Sequence, residues 1–169
     1  MKFGTVAVLG RTNVGKSTFL NAALGTRLAI VSERPQTTRD ALLGVAHRAD
    51  AQLAFVDTPG LHRPRNELGR RMNAAALQAA RHADVALFMT DRHELCSPPE
   101  PPSPAGATGG LASEDHELLE HVLPAIPCVA VINKIDLLRD KSRLLPMMDA
   151  LSRIRDFASI IPATVLDAA

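Results

Sequence analysis

The sequence predicts an α/β fold of three layers, in which helices cover both faces of a mostly parallel β-sheet with one antiparallel edge strand. Apolar, strand-like segments alternate with segments of helical periodicity, which is the order that produces parallel strands joined by helices. Two of the strand-like segments are separated by only a short polar turn, as in an antiparallel pair. The chain has 169 residues, 46% of them hydrophobic and 22% charged, as expected for one globular domain.

Six segments are predicted to be strands because each is short, apolar and bounded by turn residues. They are residues 5–9, 41–47, 52–56, 85–90, 128–133 and 159–163. The first ends at Gly10, and the second and third form the antiparallel pair. The fourth and fifth are apolar throughout, which is typical of strands buried on both faces.

Four segments are predicted to be helices, at residues 17–24, 67–82, 113–122 and 141–154. Gly25 suits the position that follows the first helix. The second is rich in alanine and has an apolar face at helical spacing. Ser113 is a candidate N-cap for the third. The fourth is amphipathic, and its Pro146 must lie in the first turn or kink the helix.

Three segments are predicted to be loops. Residues 26–40 are polar, and residues 57–66 contain proline and glycine. Residues 96–110 contain five prolines and three glycines, which predicts a loop insertion. The insertion is either a passive extension or a polyproline segment that binds a partner, and the first interpretation is favoured.

The composition excludes several classes of protein. Five Phe, no Trp and no Tyr predict an aliphatic core and largely exclude aromatic platforms for single-stranded nucleic acid. A net charge of +1 gives no overall field that would attract DNA. Cys96 and Cys128 form neither a disulfide framework nor a CxxC zinc motif, which indicates reduced thiols in the cytoplasm. No apolar run is long enough for a transmembrane helix, and no signal peptide precedes the first strand.

Residues 10–17 read GRTNVGKS and match the P-loop pattern GxxxxGK[ST] between a strand and a helix. The glycines let backbone N–H groups surround phosphates at a helix N-terminus. Lys16 is expected to reach the β- and γ-phosphates, and Ser17 to bind Mg²⁺. The alternative is a plain glycine-rich turn. The predicted phosphate-binding residues are Gly10, Arg11, Thr12, Asn13, Val14, Gly15, Lys16, Ser17 and Thr18.

A second acidic motif, Asp57-Thr58-Pro59-Gly60, follows the third predicted strand. An Asp at a strand end after a P-loop is suited to holding the water shell of Mg²⁺. Gly60 allows its backbone N–H to approach the γ-phosphate. The predicted GTP-binding residues of this motif are Asp57, Thr58, Pro59, Gly60 and the following Leu61. Without a P-loop before it, the motif would be read as an ordinary turn.

The segment Asn133-Lys134-Ile135-Asp136, here called the base loop, follows the fifth predicted strand. The carboxylate of Asp136 offers two acceptors to the adjacent N1–H and N2–H₂ donors of guanine, and adenine lacks that pair. Asn133 is expected to donate to the purine and to tie this loop to the P-loop. The aliphatic stem of Lys134 is expected to cover a purine face. The alternative is a helix start capped by an Asp.

These motifs, in this order, resemble the Era-like GTPases, a ribosome-associated bacterial family related to translation factors. The matching stretches are GRTNVGKSTFLNAALG, QTTR, DTPGLHRPRNELGRRM and NKID. The resemblance covers nearly the whole chain and is interrupted by the proline-rich segment. It implies a Ras-like G domain that binds GTP and GDP with Mg²⁺, hydrolyses GTP, and acts with 16S rRNA in small-subunit assembly. We expect a monomer in the cytoplasm, and the resemblance adds a location peripheral to the inner membrane as an alternative.

The resemblance assigns further roles. Thr38, or else Thr37, corresponds to the switch threonine that closes on Mg²⁺. Leu61 stands where Ras-like enzymes have the glutamine that orients water, so intrinsic hydrolysis should be slow. Asn13 corresponds to an asparagine that helps to hold K⁺ in relatives; its alternative role is to bond the loop backbone. The predicted catalytic group is Asn13, Lys16, Thr38 and Gly60.

The sequence departs from the family at three places. Thr12 replaces a usual proline, and residues 96–110 are inserted. Thr164 and Val165 replace a Ser-Ala pair, where the Val165 N–H is expected to reach the guanine oxygen. The chain is also expected to lack the last helix of the G domain and the KH RNA-binding domain.

These departures leave rival interpretations open. The first is a module that binds guanine nucleotides with little or no turnover. A kinase or ATPase of another P-loop class is the second, and the base loop argues against it. A non-enzymatic scaffold that uses the proline-rich segment is the third.

Overall fold

The computed structural model describes residues 1–25, 42–58, 67–91, 115, 119, 126–138 and 140–165. The strands in this part of the chain are β1 (Lys2–Gly10), β2 (Leu42–His47), β3 (Ala51–Asp57), β4 (Val85–Thr90), β5 (Cys128–Ile132) and β6 (Ser159–Pro162). The α-helices are α1 (Lys16–Leu24), α2 (Glu67–Arg81) and α3 (Leu144–Ile154), and the 3₁₀ turns are Ile135–Leu137 and Lys141–Arg143.

The strands form one sheet in the order β2-β3-β1-β4-β5-β6. The edge strand β2 runs antiparallel to β3, and the other neighbouring pairs run parallel. This topology confirms the predicted α/β class with a mostly parallel sheet and one antiparallel edge strand. No helix in the described ranges is long and apolar enough to cross a membrane.

Apolar clusters cover both faces of the sheet. On one face, Leu9, Phe88 and Ile132 are buried together with Met147 and Leu151 of α3. The opposite face has a second cluster, in which Leu20 of α1 is buried among side chains that include Val8, Phe55, Met89 and Val131. The core is mainly aliphatic, as predicted, but Phe88 is also fully buried and stacks with Phe157 at a centroid distance of 6.4 Å.

Strand pairing extends two elements beyond their predicted bounds. β1 begins at Lys2 rather than residue 5, because Lys2 and Phe3 pair with Ala51 and Gln52 of β3. β3 includes Asp57, which pairs with both Val8 and Leu42. The extent of a strand depends on hydrogen bonds to its neighbour as well as on its own hydrophobic pattern. Polar and exposed residues at its ends can therefore belong to the strand.

The fourth predicted helix begins three residues later than predicted. Residues Lys141–Arg143 form a 3₁₀ turn, in which the side chain of Asp140 accepts a hydrogen bond from the Ser142 N–H at 3.0 Å. The α-helix then starts at Leu144, so Pro146 lies in its first turn, where no intrahelical N–H is required. Of the predicted helix at 113–122, Asp115 and Leu119 are helical; its other residues, and the loops at 26–40, 59–66 and 96–110, lie outside the described part.

Candidate functional site

The carboxyl ends of three strands, β1, β3 and β5, bring the predicted motifs together on one side of the sheet. The P-loop follows β1, Asp57 ends β3, and the base loop follows β5. The register places Val8 opposite Asp57, and Gly10 opposite Met89 of β4. In open α/β sheets this side is the usual place for ligands.

The P-loop has a backbone that only particular residues adopt easily. Gly10 has φ 147° and Gly15 has φ 101°. A Cβ on Gly10 would lie 2.2 Å from the carbonyl oxygen of Met89, and a Cβ on Gly15 would lie 2.2 Å from Nδ2 of Asn133. The two glycines are therefore required by conformation and by space.

Helix α1 begins at Lys16, directly after this turn, and no side chain in the described residues caps its N-terminus. Backbone N–H groups at a helix N-terminus, together with the helix dipole, favour an anion. The local geometry thus fits the phosphate site predicted for residues 10–18.

Lys16 is a buried cation within the turn. Its Nζ donates to the carbonyl oxygens of Gly10 at 3.0 Å and Arg11 at 2.7 Å. Burial lowers the pKa of Lys16 to about 8, although Asp57 and then Asp115 oppose the shift. A phosphate beside this ammonium would offset the cost of burying its charge.

Two oxygen-bearing side chains meet next to Lys16. The hydroxyl of Ser17 donates to Oδ2 of Asp57 at 3.3 Å, and Asp57 is fully buried at the end of β3. Hydroxyl and carboxylate oxygens are the ligands that Mg²⁺ prefers, so this pair fits the predicted metal site.

Thr58 is fully buried, and its hydroxyl donates to the carbonyl of Val8 at 2.7 Å. Its side chain therefore fastens the end of β3 to β1 and is directed into the protein. Any contact of Thr58 with a nucleotide would therefore be made by its backbone.

Asn133 connects three parts of the site. Its Nδ2 donates to the carbonyl of Val14 in the P-loop at 2.9 Å, which confirms the predicted tie between the two loops. Its Oδ1 accepts from the N–H of Val165 at 3.0 Å. The Val165 N–H, expected to reach a guanine oxygen, is instead bonded within the protein in this structure. The reason is that Oδ1 of Asn133 lies within hydrogen-bond distance of this N–H.

Lys134 has a left-handed backbone, with φ 59°. Its Nζ donates to the carbonyl of Asn13 at 2.6 Å and to Oδ2 of Asp91 at 2.7 Å. Asp136 lies in the 3₁₀ turn after Lys134 and is exposed, as is Thr164 beyond β6. The base loop therefore presents a carboxylate to solvent beside a lysine whose stem is held in place.

Sequence reasoning missed two carboxylates in this region. Asp91 follows β4, and Asp115 lies in the helical segment that was predicted from a capping pattern. Both bond the side chain of Arg11, at 3.0 Å and 3.1 Å. The position of Asp91 at a strand end was a usable signal, whereas no local pattern in the sequence links Asp115 to residue 11.

Several predicted site residues lie outside the described part of the chain. They are Thr37, Thr38, Pro59, Gly60 and Leu61. Their predicted roles towards metal, γ-phosphate and water stay predictions.

Comparison with known proteins gives matches over most of the chain. The family model described as "50S ribosome-binding GTPase" matches residues 5–134. GTPase Era of Nitratidesulfovibrio vulgaris is 39% identical over 166 residues, which is 97% of this chain and 51% of that protein. GTPase Era of Stenotrophomonas maltophilia is 42% identical over 162 residues, which is 94% of this chain and 49% of that protein.

Solved structures of Era are similar as well. A variant of Aquifex aeolicus Era bound to GDP and AlF₄⁻ superposes with a TM-score of 0.82 at 36% identity, covering all of this chain and 53% of its own. An Era complex with MgGDPNP and nucleotides 1506–1542 of 16S ribosomal RNA has the same TM-score and identity. The chain spans about half the length of the relatives that it matches.

Proposed function

We propose, on the premise that this chain belongs to the 50S ribosome-binding GTPase family, that it binds GTP and GDP through its P-loop and base loop and hydrolyses GTP to GDP. The observation that carries the proposal is the hydrogen bond from Asn133 to Val14, because it joins the loop predicted to bind phosphate to the loop predicted to select guanine. A single nucleotide can then bind both loops at once. We also propose that residues 1–169 act as one G domain.

The P-loop holds the phosphates in this proposal. Backbone N–H groups of residues 10–18 surround the phosphate oxygens, and Lys16 exchanges its carbonyl partners for the β- and γ-phosphates. The ammonium is already buried and positioned, so its charge acts in a site from which water is largely excluded.

The metal site is formed by Ser17 and Thr38, with Asp57 ordering the water shell. The adjacent oxygens of Ser17 and Asp57 support this assignment, as does the Mg²⁺ in the Era complex with MgGDPNP. Bound there, Mg²⁺ would supply positive charge that offsets the charge of the phosphates during hydrolysis. The chain's own part is to hold hard oxygen ligands where that charge develops.

Hydrolysis rests on placing the γ-phosphate and stabilising charge, since Leu61 cannot orient water. The Gly60 N–H contacts the γ-phosphate in the proposal, and Asn13 helps to hold a K⁺ ion beside it. Asn13 is exposed and has a left-handed backbone, and its carbonyl accepts a hydrogen bond from Nζ of Lys134. The exposure of its side chain supports this assignment.

Guanine is selected by Asp136, with the stem of Lys134 against the ring. The exposed carboxylate at the base loop and the fixed position of Lys134 Nζ support this assignment. Thr164 and Val165 border the base, and the Val165 N–H must leave Asn133 or be shared with it in order to bond the guanine oxygen.

The proposed role in the cell is assembly of the small ribosomal subunit, in the cytoplasm. It is supported by the similarity to Era, of which one structure contains a 16S rRNA fragment. A segment of 16S rRNA is accordingly the proposed macromolecular partner.

Hydrolysis is tested by measuring phosphate release from GTP in KCl and in NaCl, with Lys16→Ala as the blank. We expect turnover by the unsubstituted chain that is faster in KCl, a smaller K⁺ effect in Asn13→Ala, and none above background in Lys16→Ala. Equal rates in both salts would refute the role of K⁺, and tight GDP binding without turnover would favour a binding module.

Base selection is tested separately by competition between GDP and ADP for the same site. We expect GDP to bind at least about a hundredfold more tightly, because the donors that face Asp136 are missing in adenine. Equal affinity would indicate another class of P-loop protein.

A further inference from the structure

Four charged side chains form a continuous line of ion pairs beside the P-loop. Nη2 of Arg11 donates to Oδ1 of Asp91 at 3.0 Å, and Nε of Arg11 donates to Oδ2 of Asp115 at 3.1 Å. The second oxygen of Asp91, Oδ2, accepts from Nζ of Lys134 at 2.7 Å. One carboxylate, that of Asp91, therefore joins the P-loop to the base loop.

The line of ion pairs is partly shielded from solvent, and its most exposed member is Lys134, at 35%. The side chains of Arg11 and Asp91 are 24% and 21% exposed, and that of Asp115 is 1% exposed. Oδ2 of Asp115 also accepts from the buried hydroxyl of Thr90 at 3.1 Å. Pairs at this depth are weakly screened, and removing one member leaves its partner's charge poorly compensated. In contrast, the Arg153–Asp149 pair on α3 is exposed.

The two loops that Asp91 joins both have an unfavourable backbone conformation. Asn13 and Lys134 have φ 63° and 59°, and within the described ranges they are the non-glycine residues with positive φ. They also bond each other, through Lys134 Nζ and the Asn13 carbonyl. Such conformations persist where the surroundings fix them, and Asp91 is the second group that fixes Lys134 Nζ.

We propose that Asp91 is a positioning residue for nucleotide binding, an inference that rests on the proposed function. It sets the separation of Arg11 and Lys134, and so holds the P-loop and base loop ready for one nucleotide, while Asp115 anchors Arg11 from the other side. Preorganised loops release a bound ligand more slowly. Asp91 touches neither phosphate nor base in this arrangement, and base selection stays with Asp136.

Charge alone predicts the opposite effect. Asp91 is an anion near the place where a polyphosphate binds, so its removal would strengthen nucleotide binding if Coulomb repulsion were its main effect. The positioning role predicts weaker binding. The sign of the change therefore separates the two explanations.

The first test is Asp91→Asn, measured by the Kd and dissociation rate of GDP. We expect the Kd to rise about tenfold, mainly through faster dissociation, because one charge-assisted contact to each loop is lost. The preference for GDP over ADP should not change. An unchanged or lower Kd would overturn the proposal. The matched control is Arg153→Gln, which breaks the exposed pair on α3 and should leave the Kd as it is.

The second test asks whether Asp91 acts through Arg11. We compare Asp91→Asn, Arg11→Gln and the double variant. If Arg11 and Asp91 act together, the double variant loses little more affinity than Asp91→Asn alone. Losses that multiply would contradict the proposal. Thermal unfolding without nucleotide shows whether each variant is folded.

Arg11→Lys provides the test if Asp91→Asn does not fold. Lysine keeps the charge but lacks the planar guanidinium that reaches two carboxylates. We therefore expect Arg11→Lys to bind GDP more weakly than the unsubstituted chain and more tightly than Arg11→Gln. Affinity equal to that of the unsubstituted chain would refute the bridging geometry. If the unsubstituted chain does not bind GDP, the proposed function itself is wrong. If the unsubstituted chain binds GDP and Asp91→Asn binds it equally well, only the positioning role of Asp91 is wrong.

Discussion

At the scale of single residues, the P-loop contains a buried charge and a strained turn, whose free-energy costs a bound ligand can offset. Within the described residues, Lys16 is buried with two carbonyl groups as its hydrogen-bond partners, and Gly10 turns the chain against the backbone of β4. The residue types needed here were predictable, because a positive φ calls for glycine and phosphate calls for a lysine. The close approach of Gly10 to Met89 was not predictable, since Met89 is far away in sequence, whereas the tie from Asn133 to the P-loop was predicted.

We predict that Lys16 makes the stability of the nucleotide-free protein depend on pH. Its folded pKa is about 8 and its ordinary value is 10.5. Between these values the unfolded chain binds more protons, so the free energy of unfolding should rise with pH by up to about 1.4 kcal/mol per pH unit from this residue. Urea unfolding of the unsubstituted chain and Lys16→Met should show the difference.

The comparison between these two proteins cancels the titration of the cysteines, which both contain. Below pH 7 the two free energies of unfolding should run parallel, and above pH 8 that of the unsubstituted chain should rise relative to Lys16→Met. Parallel curves over the whole range would show that Lys16 keeps its ordinary pKa in the folded protein.

Gly10 and Gly25 form a matched pair of glycines with positive φ. A Cβ on Gly10 would strike a backbone carbonyl, whereas a Cβ on Gly25 would lie more than 4 Å from every atom of the described residues. We predict that Gly25→Ala costs about 1 kcal/mol for its backbone alone and that Gly10→Ala costs about 3 kcal/mol or more. Chemical denaturation of both variants measures this, and equal losses would contradict the close approach of the P-loop to β4.

At the scale of elements, the strands and helices were predicted from local patterns, and their ends were decided by neighbours. The apolar run of β4 gave its bounds directly. Lys2 and Phe3 joined β1 only because β3 offers them partners, and α3 starts late because Asp140 caps a 3₁₀ turn first. The link from Arg11 to Asp115 spans 104 residues and no local pattern encodes it.

Asn133 joins three of these elements, and we predict that Asn133→Ala separates them. The variant removes the hydrogen-bond partner of the Val14 carbonyl and of the Val165 N–H. The first of these hydrogen bonds is buried, and the second is partly buried. We expect the GDP Kd to rise at least about tenfold and the free energy of unfolding to fall by about 1–3 kcal/mol. Stopped-flow GDP release and thermal unfolding measure the two effects. A fall in stability with an unchanged Kd would mean that the contact between the loops does not serve nucleotide binding.

At the scale of the whole molecule, the parallel strands end at one edge and gather motifs that are more than a hundred residues apart. The order P-loop, acidic strand end and base loop predicted this arrangement, because α/β sheets bind ligands where their strands end. The line of ion pairs formed by Asp115, Arg11, Asp91 and Lys134 connects the two loops. The motifs identify the groups that would contact nucleotide, and the fold supplies the groups that hold them.

The most direct measurement of guanine-nucleotide recognition is the binding of GDP and xanthosine diphosphate to the unsubstituted chain and to Asp136→Asn. Xanthine has an oxygen where guanine has its exocyclic amine, and asparagine offers an amide donor to that oxygen. We predict that the unsubstituted chain prefers GDP by at least about a hundredfold and that Asp136→Asn reverses the preference. A variant that still prefers GDP would contradict the assignment of the base loop, and with it the proposed function.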